Sequence, residues 1–279
     1  MMAWLIAHEA WLKLTELLTL LAALSLLQWL LPRRGDGRIA HRWRTNLGLI
    51  AISTVLLRVI FPLSGSAFAV WLQDSGFGLL NQVTLGTSVE VMAAVLILDL
   101  AIYWQHRAFH QFPLLWRAHR VHHSDIAFDA SLGLRFHPLE ILPSMAYKMV
   151  VVAALGAAPI AVLVYEAMLL GFSLMTHGDV ALSPAADRAI RFVFVTPDWH
   201  RVHHSVHGAE TNSNYGNILS IWDRIFRTYI PQPRDGHLEM TIGLDEFRSA
   251  GSQTLVGLLR QPFSNAPPSS ASPLDNTHA

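Results

Sequence analysis

No cysteine occurs anywhere in this 279-residue chain, which excludes thiolate zinc sites, cysteine-ligated iron–sulfur clusters and disulfides. Charge is scarce as well. Asp, Glu, Lys and Arg make up only 14% of the residues and cancel to zero with histidine neutral, so no basic surface points to nucleic acid. The zinc-hydrolase signature H-E-x-x-H is missing, as is a glycine-rich flavin motif. The first apolar run has no basic segment before it and no small-residue cleavage site after it, which argues against a cleaved signal peptide.

Apolar sequence is what the chain has in excess, at 52% of residues with a mean hydropathy of +0.34. That is too much for a soluble domain of this size and indicates a membrane protein. Leu17 to Leu31 is unbroken except for Thr19, Ser25 and Gln28, and with its apolar lead-in it can cross a hydrocarbon core that takes about 20 helical residues. Arg33, Arg34, Arg38, Arg42 and Arg44 follow together and mark a cytoplasmic loop by the positive-inside rule.

Leu47 to Leu72 is a second apolar segment, interrupted by Arg58 and Pro62; it is expected to kink, with Arg58 turned toward protein. No lysine or arginine lies between Gln73 and Ser88, as suits the opposite side of the membrane. A third segment, Val89 to Tyr103, leads straight into His106. Ile141 to Ala158 and Ile160 to Met175 make a hairpin about Gly156 and Pro159 that returns the chain to the side it left. Lys148 and Glu166 sit at similar depth on its two arms and are expected to pair. The fold class is therefore all-α, with four or five transmembrane or re-entrant helices and a cytoplasmic helical cap.

Histidine is concentrated where these segments end. His106 and His110 are four apart, and the string HRVHHS occurs twice, at His119 to Ser124 and at His200 to Ser205. On a helix, offsets of three and four share one face, so each cluster can aim two or three imidazoles at one point. His106, His110, His119, His122, His123, His200, His203 and His204 are too many for one ion, and two metals are the economical reading. Imidazole suits iron, copper, nickel and zinc alike. Parity of the spans and the arginine bias put all of these clusters on the cytoplasmic side.

Downstream, Asn217 to Tyr229 carries apolar residues at helical spacing and is expected to be an amphipathic helix, at the membrane interface or within the core. The stretch after 261 is rich in Pro, Ser, Asn and Ala and reads as a disordered tail, with His278 inert. His8 and His41, which have no cluster around them, read as interfacial residues.

The order H-x-x-x-H, H-x-x-H-H, membrane hairpin, H-x-x-H-H resembles the fatty acid hydroxylase and sterol desaturase superfamily of integral-membrane di-iron oxygenases. DLAIYWQHRAFH, LLWRAHRVHHSD, LRFHPLEIL, TPDWHRVHHS and ETNSNYGNILSIWDRIFRTY resemble its bacterial members, and the likeness covers roughly Val89 to Phe247. It implies that the eight histidines above ligate two iron ions, and adds His177 of MTHGDV as a ninth ligand. It makes His137 and Asp179 candidates to support the ligands from behind, Asp179 standing where relatives often have Asn. Asp99, seven residues before His106, is a further candidate to orient an imidazole. Tyr103 shares that helix face, with helix packing as its alternative role. His207 and His237 fall in matching segments but are not expected to touch metal.

The resemblance divides the chain into N-terminal membrane helices with an arginine-rich cytoplasmic loop (1–88), a catalytic domain (89–247) and a C-terminal tail (248–279). It implies O2-dependent hydroxylation or desaturation of a lipid: a fatty-acyl or ether lipid, a sterol-like ring or a carotenoid. HPLE at His137 is not the HPGG of cytochrome b5 fusions, so electrons are expected from a separate reductase with a ferredoxin or cytochrome b5-like carrier, or from a pterin. A bacterial inner membrane is the expected location. The alternative class is a non-catalytic metal-binding or metal-transport membrane protein, against which the placement of the histidines beyond the ends of the spans argues.

Overall fold

The computed structural model describes residues 2–35 and 40–265, and the side chains of all of these but residue 40. Arg38, and the expected tail beyond 265 with His278, lie outside the described residues. Within them the chain is helical throughout, with isolated bridges in place of strands. In order come α1 (Met2–Ala7), α2 (Glu9–Leu30), α3 (Ala40–Ile60), α4 (Gly65–Ser75), α5 (Thr87–Gln111), α6 (Pro113–His123), α7 (Pro138–Leu155), α8 (Pro159–Thr176), α9 (Pro184–Ile190) and α10 (Pro197–His203). Short turns complete the C-terminal part.

Five stretches are long and apolar enough to cross a membrane: α2, the α3–α4 pair, α5, α7 and α8. Helix α8 packs on α2, α4 and α5, with Leu98, Val152, Ala161, Val162 and Tyr165 buried among them. Trp29, Val55, Val59 and Val150 face outward, as lipid-facing side chains do in a protein whose backbone is satisfied within its helices. The polypeptide is an integral membrane protein of all-α architecture.

Proline and glycine punctuate it. Pro113, Pro138, Pro159 and Pro197 each open a helix, where the missing N–H costs nothing. The α7–α8 turn closes on Gly156 at φ +65°, and Gly78 at φ +102° lies so near that a Cβ on it would meet Gly156 Cα at 2.3 Å. Only glycine fits both positions.

Five sequence expectations meet the structure here. The Leu47–Leu72 segment is broken outright around Pro62 into α3 and α4. Arg58 is exposed in the last turn of α3 and does not face protein; a cation there complements the helix dipole, and its long stem can reach the interface. Lys148 does pair with Glu166, which also holds Lys13 of α2. The helix expected over Asn217–Tyr229 shrinks to Ile221–Ile225. Residues before it bridge Phe194 through Leu219. Asp223 accepts the amides of Tyr215 and Gly216, and Arg227 at φ +57° ends the helix. At the start of the expected tail, Gln261–Phe263 forms a 3-10 turn whose Gln261 carbonyl accepts from Arg120.

Candidate metal centre

Helix α5 carries His106 and His110 at its end, α6 carries His119, His122 and His123, and α10 carries His200 and His203, with His204 as its C-cap. His177 caps α8 at the same end of the bundle. The nine converge, all buried, in two groups. His106, His110, His119, His123 and His203 form one; His122, His177, His200 and His204 form the other. The groups abut, with the rings of His123 and His204 stacked at 4.5 Å.

The imidazoles are aimed from behind. Nδ1 of His106 donates to Tyr215 O (2.8 Å), that of His203 to Ser213 O (2.7 Å), that of His177 to Ser173 O (2.6 Å) and that of His119 to Glu140 Oε1 (2.7 Å). A carbonyl can only accept, so Nδ1 carries the proton and Nε2 presents a lone pair. These lone pairs meet. Nε2 of His106 lies 3.2 Å from that of His119 and 3.0 Å from that of His203; Nε2 of His177 lies 3.0–3.1 Å from those of His122, His200 and His204.

In the first group, where His106, His119 and His203 all carry the proton on Nδ1, sharing a proton would require an imidazolium, which burial opposes. Burial, aided by the neighbouring imidazoles, holds His122, His123, His200, His203 and His204 well below the usual histidine range, and burial brings His177 down to about 4. Ligands about 2.1 Å from one ion are about 3.0–3.4 Å apart. The spacing, the orientation and the all-nitrogen donor set therefore fit one metal ion in each group.

Other residues named from the sequence fall elsewhere. His137 is the N-cap of α7, its Nδ1 accepting the Leu139 amide, with Nε2 against Leu259 O. Asp179 accepts the amides of Arg34 and Gly35 and faces Arg201, so it touches no imidazole. Asp99 accepts from Leu219 N and Trp222 Nε1, and Tyr103 bonds Thr228 and stacks on Phe226; both fasten the 218–228 segment to α5. His207 pairs with Asp235, His237 lies 3.6 Å from Asp198, and His8 stacks on Trp4. His41 is exposed.

Sequence reasoning passed over Glu140, although it stands in the same HPLE as His137. A lone acid in the first turn of an apolar helix, close in sequence to a histidine cluster, was the available signal. The carbonyls of Ser173, Ser213 and Tyr215 have no sequence signal at all.

Below the histidines, between α3, α5, α7 and α8, lies a cavity of about 240 Å³. His106 and His119 of the first group and His122, His177 and His200 of the second open onto it, facing Leu57, Ile102, Phe109, Phe136, Met145 and Leu169.

Paired groups of buried imidazoles at one end of a bundle of apolar helices, beside a largely apolar cavity, define a histidine-rich membrane protein in which each group could hold a metal ion. Residues 91–228 match the family model described as fatty acid hydroxylase, and through this segment the chain belongs to that superfamily. It is 32% identical over 176 residues to ornithine lipid hydroxylase OlsE of Rhizobium tropici, covering 63% of this chain and 50% of the relative. It is 32% identical over 139 residues to alkylglycerol monooxygenase of Danio rerio, covering 50% and 30%, and 25% identical over 172 residues to cholesterol 25-hydroxylase of Rattus norvegicus, covering 61% and 55%. The chain thus spans half of the Rhizobium protein and under a third of the Danio protein. No solved structure matches it.

Proposed function

We propose that this protein is a membrane-bound di-iron oxygenase that hydroxylates a lipid, with desaturation as the variant outcome of the same hydrogen removal. The observation that carries the reading is that both histidine groups open onto one apolar cavity between membrane helices. The family match and the names of the relatives, all hydroxylases or monooxygenases of lipids, support it.

Iron held by the two groups would supply the reduction of O2 and the oxidant that takes hydrogen from an unactivated C–H bond. Overall, R–H, O2, two electrons and two protons give R–OH and water. The chain's own residues do the rest. Glu140 and the three carbonyls fix the imidazoles before substrate arrives, so their reorganisation costs little during reaction. Phe109, Phe136, Met145 and Leu169 exclude water and hold an aliphatic segment beneath the ions. Arg33 and Arg34 reach the histidine end, Arg33 by pairing with Asp198 and Arg34 by bonding Met240 O; the positive-inside rule then supports a site facing the cytoplasm. Electrons come from a separate reductase with its carrier, or from a pterin.

The test is elemental analysis of detergent-purified protein with a Mössbauer spectrum of iron-57-grown material, and a comparison of lipid extracts from cells with and without the gene. About two irons per chain with exchange coupling, together with an O2-dependent lipid product lost in His122→Ala or His203→Ala, is expected. Zinc alone, no iron uptake and no such product would point instead to a metal-handling membrane protein.

A further inference from the structure

The cavity is not apolar all round. One face of α7 presents Glu140, Ser144 and Lys148 to it at intervals of four residues, a polar stripe that descends about 12 Å from the histidines into the bilayer region. Glu140 holds His119 through Oε1, with Oε2 buried without a partner at the very head of the stripe, and Lys148 is paired with Glu166. Ser144 meets Gln105 of α5, whose Nε2 lies 2.7 Å from Ser144 Oγ. The other end of that amide, Oε1, is buried without a partner. Whichever way the amide is turned, one of its polar atoms is left unpaired beside the cavity.

We propose that Gln105, with Ser144, is a specificity-determining polar clip for the substrate, resting on the oxygenase reading: the lipid oxidised here carries an uncharged hydrogen-bonding group, a hydroxyl or an amide, about one to two helical turns from the carbon that reacts. An unpaired buried amide atom costs free energy, and a ligand that supplies its partner recovers it. The histidines stand at the head of the stripe and Gln105 one turn of α7 further in, so the polar group and the reacting carbon occupy the cavity together. A plain hydrocarbon leaves the amide unpaired.

An anionic group gains nothing extra. Lys148 is joined through Glu166 to Lys13, and Lys13 to Glu9, which accepts from Ser64 and Ser66. Two lysines and two glutamates cancel, so the floor of the cavity has no net charge to offer a carboxylate or phosphate, whose desolvation is then uncompensated.

The test is native mass spectrometry of the detergent-solubilised protein under nitrogen, titrated with dodecane, 1-dodecanol and dodecanoate. Wild type is expected to bind 1-dodecanol about tenfold more tightly than either of the others. Gln105→Leu and Ser144→Val, each checked for unchanged metal content, are expected to lose that preference while binding dodecane as well as before or better. Equal binding of the three probes by wild type, a preference for dodecanoate, or a preference that survives in both variants would overturn the proposal. If the variants do not fold, the wild-type ranking decides alone. Because nothing turns over under nitrogen, the two readings fail separately. Absence of an O2-dependent product with the alcohol preference intact counts against the oxygenase and for the clip. Product formation with no alcohol preference does the reverse.

Discussion

The two copies of HRVHHS are identical in six letters and opposite in what they do. In α6 the first and third histidines, His119 and His123, point to the five-histidine group and the middle one, His122, to the other. In α10 the first and third, His200 and His204, point to the four-histidine group, and the middle one, His203, crosses to the first. Helical geometry permits the split, because positions +3 and +4 lie about 100° apart on either side of the first histidine, with +4 the nearer to it in angle. Which ion receives the pair depends on the side from which each helix approaches. A repeated motif therefore specifies a two-way division of ligands, and the tertiary fold decides its direction. The remaining letters diverge as well. Arg120 bonds carbonyls of the C-terminal turn, whereas Arg201 is fully buried against Asp198 and Asp179.

Ligand deletions test the crossed division most strongly. His119→Ala with His203→Ala takes two imidazoles from the first group and His122→Ala with His200→Ala takes two from the second, so each double variant is expected to keep about one ion per chain. Each single change should cost at least about 100-fold in product. Elemental analysis reads the counts directly, and loss of both ions from the first double variant would reject the crossing.

Next in size are the arginines. Arg201→Met removes a fully buried cation from Asp198, which keeps Arg33, and from Asp179, which keeps two amides, and should cost about 2–3 kcal/mol, while Arg120→Met loses bonds to carbonyls, worth about 1–2 kcal/mol. Thermal unfolding in detergent should show the larger fall for Arg201→Met; a larger fall for Arg120→Met would contradict the contrast.

Glu140→Gln tests the support behind one copy only. It is expected to weaken metal at the first group by about 10–100-fold in chelator competition and to leave the second unchanged. Equal weakening of both would mean that Glu140 acts through the fold and not through His119.

The serines give the smallest difference. Ser124 donates to Val121 O and accepts from Arg135, whereas the Ser205 hydroxyl accepts only the His207 amide. Ser124→Ala should therefore cost about 1 kcal/mol and Ser205→Ala a few tenths, again read from unfolding temperatures.

The contrast between the copies also marks where sequence reading stops. The apolar runs announced the spans, Pro62 the break between α3 and α4, and Gly156 with Pro159 the hairpin, because backbone constraints are local. The nine histidines named from spacing and family resemblance lie together in the fold, because residues on neighbouring helical turns are also close in the chain. What the sequence hides is long-range. The Glu140–His119 contact joins two helices, and the carbonyls of Ser213 and Tyr215 act through backbone that any residue could supply. Asn217–Tyr229 failed as a helix for a related reason. Its apolar period was real, but Asp99 takes the Leu219 amide and the Trp222 indole N–H while Asp223 turns back onto the Tyr215 and Gly216 amides, and tertiary bonds outweighed local propensity.

His177 belongs to the last turn of a membrane helix, yet it completes the group that α6 and α10 begin. The four-histidine cradle cannot close until the α7–α8 hairpin is seated in the bilayer, and the five-histidine cradle cannot close until His203, made later still, has folded back on α5. Neither cradle can be complete on a nascent chain that has not yet reached α10. Both cradles are therefore complete only when the membrane hairpin and the cap are folded together.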